Sequence, residues 1–314
     1  MGLPFALDHI NLWLVQDDVG WTVIDCGIAN DATRAAWEQI FADVLDGLPI
    51  VRVIATHYHP DHVGLAEWLC PRWNAPLWMT TGEYADARLR AALLPGIDGA
   101  EMLPHFRLHG VNDPAILAQL EQRTGHYAQL VPTVPNSYRR LQDGQTFSIG
   151  RHAWRVITGC GHSPEHASLY CADLKLLISG DMVLPRISTN VSVLPLEPEA
   201  NPVQLYLDSL AKYIDLPPDT LVLPSHGRPF CGLHTRIDQL CAHHQARLAE
   251  VMQACANLHS AADIVPLMFR RALDTHQLGF ALGEALAHLH KLWLDGILQR
   301  ETGADGTLRF QIRR

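Results

Sequence analysis

The sequence predicts a layered α/β fold, and three observations predict it. Apolar, β-branched runs such as WTVID (21–25) and IVRVIATH (50–57) read as buried strands that stop abruptly at Asp25 and His57. A helical pattern at 31–46 separates them, which is the alternation of a layered α/β protein. Further short tracts within 141–158, 167–180 and 218–224 repeat the theme, each ending near a His or Asp. Rigid strands that end in loops are a good platform for aiming reactive side chains.

In chain order, HINLWLV alternates, QDDVG turns and WTVID follows, so 9–25 reads as two strands around a turn. DATRAAWEQIFADVLD (31–46) is an amphipathic helix with Asp31 as its expected N-cap. A helix restarts at 62–70. Residues 82–140 differ, with helix-like pieces (YADARLRAAL, PAILAQLEQRTGHYAQL) broken by Pro and Gly, and read as a helical insertion over the site. One helix is expected at 236–257, then short helices and the turn and strand of GADGTLRFQIRR, a winged-helix-like pattern. The expected domains are 1–235 and 236–314.

Bulk properties narrow the function. With 314 residues, 48% of them hydrophobic, the chain can build one large domain and a small appendage. The net charge of −9 (24 basic against 33 acidic residues) disfavours nucleic-acid binding, which needs a basic stripe. The seven cysteines have no CxxC spacing, so reduced thiols and a cytoplasmic setting are expected. The first fifteen residues have no basic start and carry Asp8 early, so no signal peptide is expected. No apolar run approaches the roughly 20 residues of a membrane helix.

The chemistry starts at THYHPDH, which puts His57, His59, Asp61 and His62 just past a strand. Imidazole and carboxylate ligands suit zinc and similar divalent ions. Four ligands so close crowd a single tetrahedral ion; a natural division gives His57 and His59 to one ion and Asp61 and His62 to a second. Each ion then needs partners from elsewhere. Three are on offer: His162 in TGCGHSPEH, Asp181 in LLISGDMV and His226 in LVLPSHGRP, each after an apolar strand and beside Gly or Pro. A lone HxH is as often a surface or core pair as a site. The whole ordered set leaves little room for coincidence.

On these residues the chain resembles the metallo-β-lactamase superfamily, whose signature is HxHxDH followed by separate His, Asp and His ligands; the match covers roughly residues 8–230. The resemblance implies an αββα sandwich. It also implies that His57, His59 and His162 hold one metal, that Asp61, His62 and His226 hold the other, and that Asp181 bridges. Asp25 matches an early aspartate that supports the ligand loop, and Cys26 stands where the family commonly has Thr. His166 reads equally as a residue hydrogen-bonded behind the ligands or as an ordinary buried histidine. Cys160 is expected to pack. His243 and His244 are expected to be solvated on a helix, with His288 and His290 on different helix faces. Gly159-Cys160-Gly161 lacks the third glycine of a dinucleotide fingerprint, and no GxSxG elbow occurs.

Two divalent ions roughly 3.5–4 Å apart can share a hydroxide, which Asp61 and Asp181 would orient toward a carbonyl or phosphorus. Zinc is the expected metal, with manganese or iron as alternatives. The site pattern resembles the hydroxyacylglutathione hydrolase branch, pointing to a small ester, thioester or lactone as acyl substrate. The tail resembles the winged-helix appendage of the lactamase-like endoribonuclease branch. That keeps a metal-dependent endonuclease or phosphodiesterase as the alternative, and a DNA-binding metal sensor as a third reading. The tail reads best as a structural lid or homodimer element. Tyr84, Phe106, His109, His126 and Tyr127 are candidates to line the pocket, and each serves equally well as core of the insertion.

Overall fold

Two stacked sheets form the heart of the chain, and side-chain alternation along their strands dictates the layering. The computed structural model describes residues 1–5, 7–94 and 99–314. The first sheet holds β1 (Trp13–Asp17), β2 (Gly20–Ile24), β3 (Ile50–Ile54), β4 (Leu77–Met79) and β5 (Arg139–Arg140), in that spatial order. β1 and β2 are an antiparallel hairpin, and the other neighbours run parallel. The second sheet holds β6 (Thr146–Ile149), β7 (His152–Gly159), β8 (His166–Cys171), β9 (Leu176–Gly180) and β10 (Leu221–Pro224), antiparallel except for the parallel β9–β10 pair.

Helices α1 (Asp31–Asp43), α2 (Pro60–Val63), α3 (Ala66–Trp73) and α4 (Thr81–Ala91) connect the first strands. Val23, Val53, Leu77 and Met79 point to one core with Trp37 of α1 and Leu69 of α3. Their neighbours Ile24, Ile54 and Trp78 point the other way, into a second core with Trp154, Val156, Leu169 and Ile178 of the second sheet. A period of two thus gives each strand one helix-facing and one sheet-facing side. Ser168, between the inward Ala167 and Leu169, turns outward and meets the hydroxyl of buried Tyr213 at 2.8 Å. This is the expected α/β sandwich.

The chain divides into two compact units, the first made of Met1–Leu93, Tyr127–Thr189 and Ser209–Ile237, the second of Leu94–His126, Asn190–Asp208 and Asp238–Arg314. The second unit takes α5 (Leu103–Leu108) and α6 (Pro114–Glu121). Next come α7 (His126–Leu130), in which the chain returns to the first unit, and α8 (Pro202–Ala211) and α9 (Leu233–Ala254), each shared between the two. It finishes with α10 (Ala261–Met268), α11 (Thr275–Leu294) and the hairpin β11 (Leu298–Thr302) and β12 (Leu308–Ile312). The small C-terminal part is therefore helices plus two strands. Among the described residues no helix is long and apolar enough to cross a membrane, and all seven cysteines are free.

Four readings shift. The cap of α1 is Asn30, not Asp31: Asn30 has the extended backbone a cap needs and its side chain accepts from the Thr33 amide at 2.8 Å. Asp31 lies in the first turn, where its charge suits the helix dipole. The stretch read as a single helical insertion, 82–140, is divided between the units and ends in β5; its residues 95–98 lie outside the described residues. α11 is a 20-residue helix rather than a short one, started by an Asp274–Gln277 capping box. His244 is buried, not solvated: its Nδ1 lies 3.2 Å from Nε2 of His288, and the two rings stack. His288 and His290 do face different ways, His288 toward His244 and His290 toward the Ala200 carbonyl, and both are buried.

Candidate metal centre

Five strands deliver the site residues to one edge of the sandwich. Asp25 follows β2, His57 follows β3, His162 follows β7, Asp181 follows β9 and His226 follows β10. All seven sequence-predicted ligands converge there. One ligand atom each from His57, His59, His162 and Asp181 can be chosen so that all lie within 4.8 Å of one another, and the same holds for Asp61, His62 and His226.

The separations within each group suit ligands around a common ion. Bonds of about 2.05 Å at a tetrahedral angle put two ligand atoms roughly 3.3 Å apart. Nε2 of His162 lies 3.2 Å from Nε2 of His57 and 3.5 Å from Oδ2 of Asp181. In the other group, Oδ2 of Asp61 lies 3.6 Å from Nε2 of His62 and 3.5 Å from Nε2 of His226. Asp181 touches both groups: Oδ1 is 3.4 Å from Nε2 of His226, while Oδ2 is 3.6 Å from Nε2 of His62. Two atoms in this cluster, His62 Nε2 and Asp181 Oδ1, are buried with no hydrogen-bond partner. Buried polar atoms are almost always satisfied, so these two suit the coordination of a cation.

The imidazoles are aimed from behind. Nδ1 of His57 meets Thr56 Oγ1 at 3.0 Å, Nδ1 of His62 donates to Asp25 Oδ2 at 2.8 Å, Nδ1 of His162 meets Thr189 Oγ1 at 3.0 Å, and Nδ1 of His226 donates to the His9 carbonyl at 2.7 Å. A proton held on Nδ1 leaves the Nε2 lone pair for a metal, which is how a partner behind a ligand sets its tautomer. Only His59 presents Nδ1 to the cluster, 2.9 Å from Nε2 of His57.

Asp25 is the hub of this support. It is buried with φ at +64°, and Oδ1 accepts from the Thr56 amide at 2.7 Å while Oδ2 accepts from Thr56 Oγ1 at 3.0 Å. A non-glycine residue in the left-handed region is uncommon, and Asp tolerates it best with Asn. The chain after Asp25 also pins the ligand helix: the Cys26 amide donates to the His62 carbonyl at 2.7 Å.

Electrostatics follow from burial and charge. Burial, with neighbouring imidazoles, holds His57 and His59 well below the ordinary histidine range, so both are neutral and ready to coordinate. Burial also works against protonated His62, but Asp25, Asp61 and Asp181 outweigh it and raise its pKa well above normal. Burial opposes the Asp181 carboxylate, yet His226 and His62 hold its pKa well below the usual range. The cluster is thus short of positive charge at its centre, and protons on His62 and His226 would compete with a cation there.

His166 sits behind the ligands. Its Nε2 accepts from the Asp181 amide at 3.1 Å, and burial lowers its pKa to about 3. This contact requires Gly180, whose φ is +53° and whose added Cβ would lie 2.2 Å from His166 Nε2. Gly180→Ala is therefore expected to cost about 2–4 kcal/mol, from left-handed strain and overpacking together. Urea unfolding and metal content of the purified variant measure it; wild-type values for both would refute this account.

The pocket candidates scatter. Tyr84 is tied into the core, its hydroxyl donating to the Pro135 carbonyl at 2.7 Å and its ring stacked on Tyr138. Tyr127 donates to the Tyr58 carbonyl at 2.6 Å and so contacts the ligand loop between His57 and His59. Phe106, His109 and His126 belong to the second unit, where Phe106 and His109 are buried. Sequence reasoning missed Thr56, Thr189, the His9 carbonyl and Glu83. Thr56 could have been noticed, since it precedes His57 directly; the others reach the site only through tertiary structure.

A histidine–carboxylate centre at one edge of an α/β sandwich defines a metal-dependent hydrolase. The chain belongs to the metallo-β-lactamase superfamily, whose family model matches residues 6–226; a model for the metallo-β-lactamase-like C-terminal domain matches residues 248–313. It is 25% identical over 300 residues to the probable metallo-hydrolase YqjP of Bacillus subtilis, spanning 92% of this chain and 89% of that one. It is 30% identical over 180 residues to the acyl-coenzyme A thioesterase MBLAC2 of Gallus gallus, spanning 56% of this chain and 58% of that one. A crystal structure of a β-lactamase domain protein from Burkholderia ambifaria superposes with a TM-score of 0.94 at 58% identity, spanning 100% of this chain and 91% of that one.

Proposed function

We propose that this chain is a two-metal hydrolase of a small acyl compound, with a thioester as its substrate class. The observation that carries this reading is Asp181, whose carboxylate lies between the two ligand groups: Oδ2 lies 3.5 Å from His162 Nε2 and 3.6 Å from His62 Nε2, and Oδ1 lies 3.4 Å from His226 Nε2. In the proposed assignment His57, His59 and His162 hold one ion, Asp61, His62 and His226 hold the other, and Asp181 bridges. Zinc is the proposed metal, given the histidine-rich donor set. Two such ions supply Lewis acidity and a water acidified toward neutrality. The protein supplies the rest. Asp61 and Asp181 present carboxylate oxygens that would orient a nucleophilic water by accepting a hydrogen bond from it. The Nδ1 partners keep the imidazoles fixed, so no reorganisation accompanies the reaction.

An acyl-coenzyme A thioesterase among the relatives favours an acyl thioester over a lactone or a phosphodiester, and the net charge of −9 gives no help to a nucleic-acid substrate. The hairpin after α11 supports a winged-helix-like tail that packs or dimerises, and free thiols support a reducing, cytoplasmic setting. Zinc-loaded protein is expected to contain two ions per chain by elemental analysis. It is expected to hydrolyse short acyl-coenzyme A thioesters at least tenfold faster, by kcat/KM, than homoserine lactones or bis-(p-nitrophenyl)phosphate. Phosphodiester turnover above thioester turnover would reverse the substrate assignment.

A further inference from the structure

Glu83 is an acidic side chain with no exposed surface. It is the third residue of α4, where the helix dipole favours a carboxylate. It does not cap its own helix. Instead Oε2 accepts from the amide of Tyr58 at 2.9 Å, while Oε1 accepts from Ser163 Oγ at 2.6 Å and from the amide of Glu165 at 2.7 Å. Tyr58 lies between His57 and His59, and Ser163 follows His162. One carboxylate therefore joins the two loops that carry the three histidines of one ligand group. The rest of the helix start reinforces the join: Thr80 Oγ1 donates to the Glu165 carbonyl at 2.7 Å, and the Gly82 amide donates to the Glu165 carboxylate at 3.1 Å. The histidines of the other group are held by different residues: His62 by Asp25, and His226 by the His9 carbonyl.

We propose that Glu83 is the positioning residue for one ion alone, setting the spacing of His57 and His59 from His162 by clamping Tyr58 and Ser163. This rests on the reading above that those three histidines share an ion. Three donors converge on two oxygens, two of them main-chain amides that cannot reverse. A glutamine in place of Glu83 offers one acceptor oxygen, so its amide nitrogen must face the N–H of either Tyr58 or Glu165. Either way one ligand loop loses its anchor, at near-constant side-chain volume. Burial raises the Glu83 pKa to about 7, while the hydrogen bonds from Ser163, Glu165 and Tyr58 pull it down.

The test is a zinc(II) titration of the full chain against a competing chelator, paired with cobalt(II) absorption spectra, for wild type, Glu83→Gln and His57→Ala. Glu83→Gln is expected to weaken one ion by about 10–100-fold, the range for losing a residue that orients a ligand, and to leave the other within about threefold. The cobalt bands it loses should be those lost in His57→Ala. Ser163→Ala removes one of the three donors and should weaken the same ion to a smaller degree, which keeps the test alive if Glu83→Gln misfolds. Equal weakening of both ions, or wild-type affinity for both, overturns the proposal. If wild type takes up a single ion, the two-ion reading fails separately; Glu83 then keeps its role if His57→Ala and Glu83→Gln both weaken that ion, and loses it if only His57→Ala does.

Discussion

Asp181→Ala is expected to lower the metal content from the proposed two ions per chain to one or none, and to reduce kcat more than about 1,000-fold. The scale is set by simpler losses: removing one preorganised donor from an active site already costs about 100–1,000-fold. Asp181 offers two acceptor oxygens that would ligate metal, so its loss removes more than one such contact. Its Oδ2 lies within 3.5–3.9 Å of the Nε2 atoms of His162, His62 and His57, and its Oδ1 lies 3.4 Å from that of His226. No neighbour can replace it, because the Asp61 carboxylate faces only His62 and His226. Its removal also takes away a buried negative charge that would offset the proposed cations. The backbone is not the target of this change: the Asp181 amide still donates to His166, so the strand end should hold its shape. Elemental analysis, kcat at saturating zinc and circular dichroism together read the outcome. Near-normal turnover would sink the two-metal assignment.

The candidate ligand residues were legible because they stand in the loops and the short helix that follow strands whose own composition reveals them. WTVID, IVRVIATH and LLISGD are apolar, β-branched and short, and the polar residue that ends each run has nowhere to go but the sheet edge. The sandwich was legible for the same reason, since Val23 with Ile24 and Val53 with Ile54 serve opposite faces. What escaped the sequence depends on partners far along the chain. His244 sits beside His243 on a helix of mixed polarity and looks solvated, until His288 of α11 stacks on it. Glu83 looks like any first-turn helix acid; its three donors come from residues 58, 163 and 165. The tract 82–140 reads as one helical piece because local propensity carries no record of which core each helix enters. Thr189 offers no motif at all, and only the folded chain brings its hydroxyl to His162.

Asp25→Asn is expected to leave the fold intact while costing about 100-fold in affinity for the ion on His62 and about 1,000-fold or more in turnover. Asparagine accepts the left-handed backbone that Asp25 adopts, at φ +64°, so the strand end is not strained further. The damage is electronic. The Thr56 amide points at Oδ1 and cannot reverse, so the amide oxygen of asparagine must stay there and its NH2 must take the place of Oδ2. That NH2 meets two groups. Thr56 Oγ1 can rotate and accept, but Nδ1 of His62, at 2.8 Å, can accept only by giving up its proton. The imidazole then carries its proton on Nε2, the atom that faces Asp61 and Asp181 at 3.6 Å and would otherwise hold the metal. A swap of the same kind behind the histidine of a serine protease costs about 10,000-fold in kcat with the geometry unchanged. Asp25→Ala separates the two contributions: it leaves the Thr56 amide without its acceptor and Nδ1 of His62 with Thr56 Oγ1 at 3.2 Å in place of a carboxylate, and should lower stability by about 3–5 kcal/mol, as breaking a buried charged pair does. Melting temperature, zinc stoichiometry and nitrogen NMR of the His62 ring distinguish them. A folded Asp25→Asn protein with both ions and the proton still on Nδ1 of His62 would show that Asp25 does not set that tautomer.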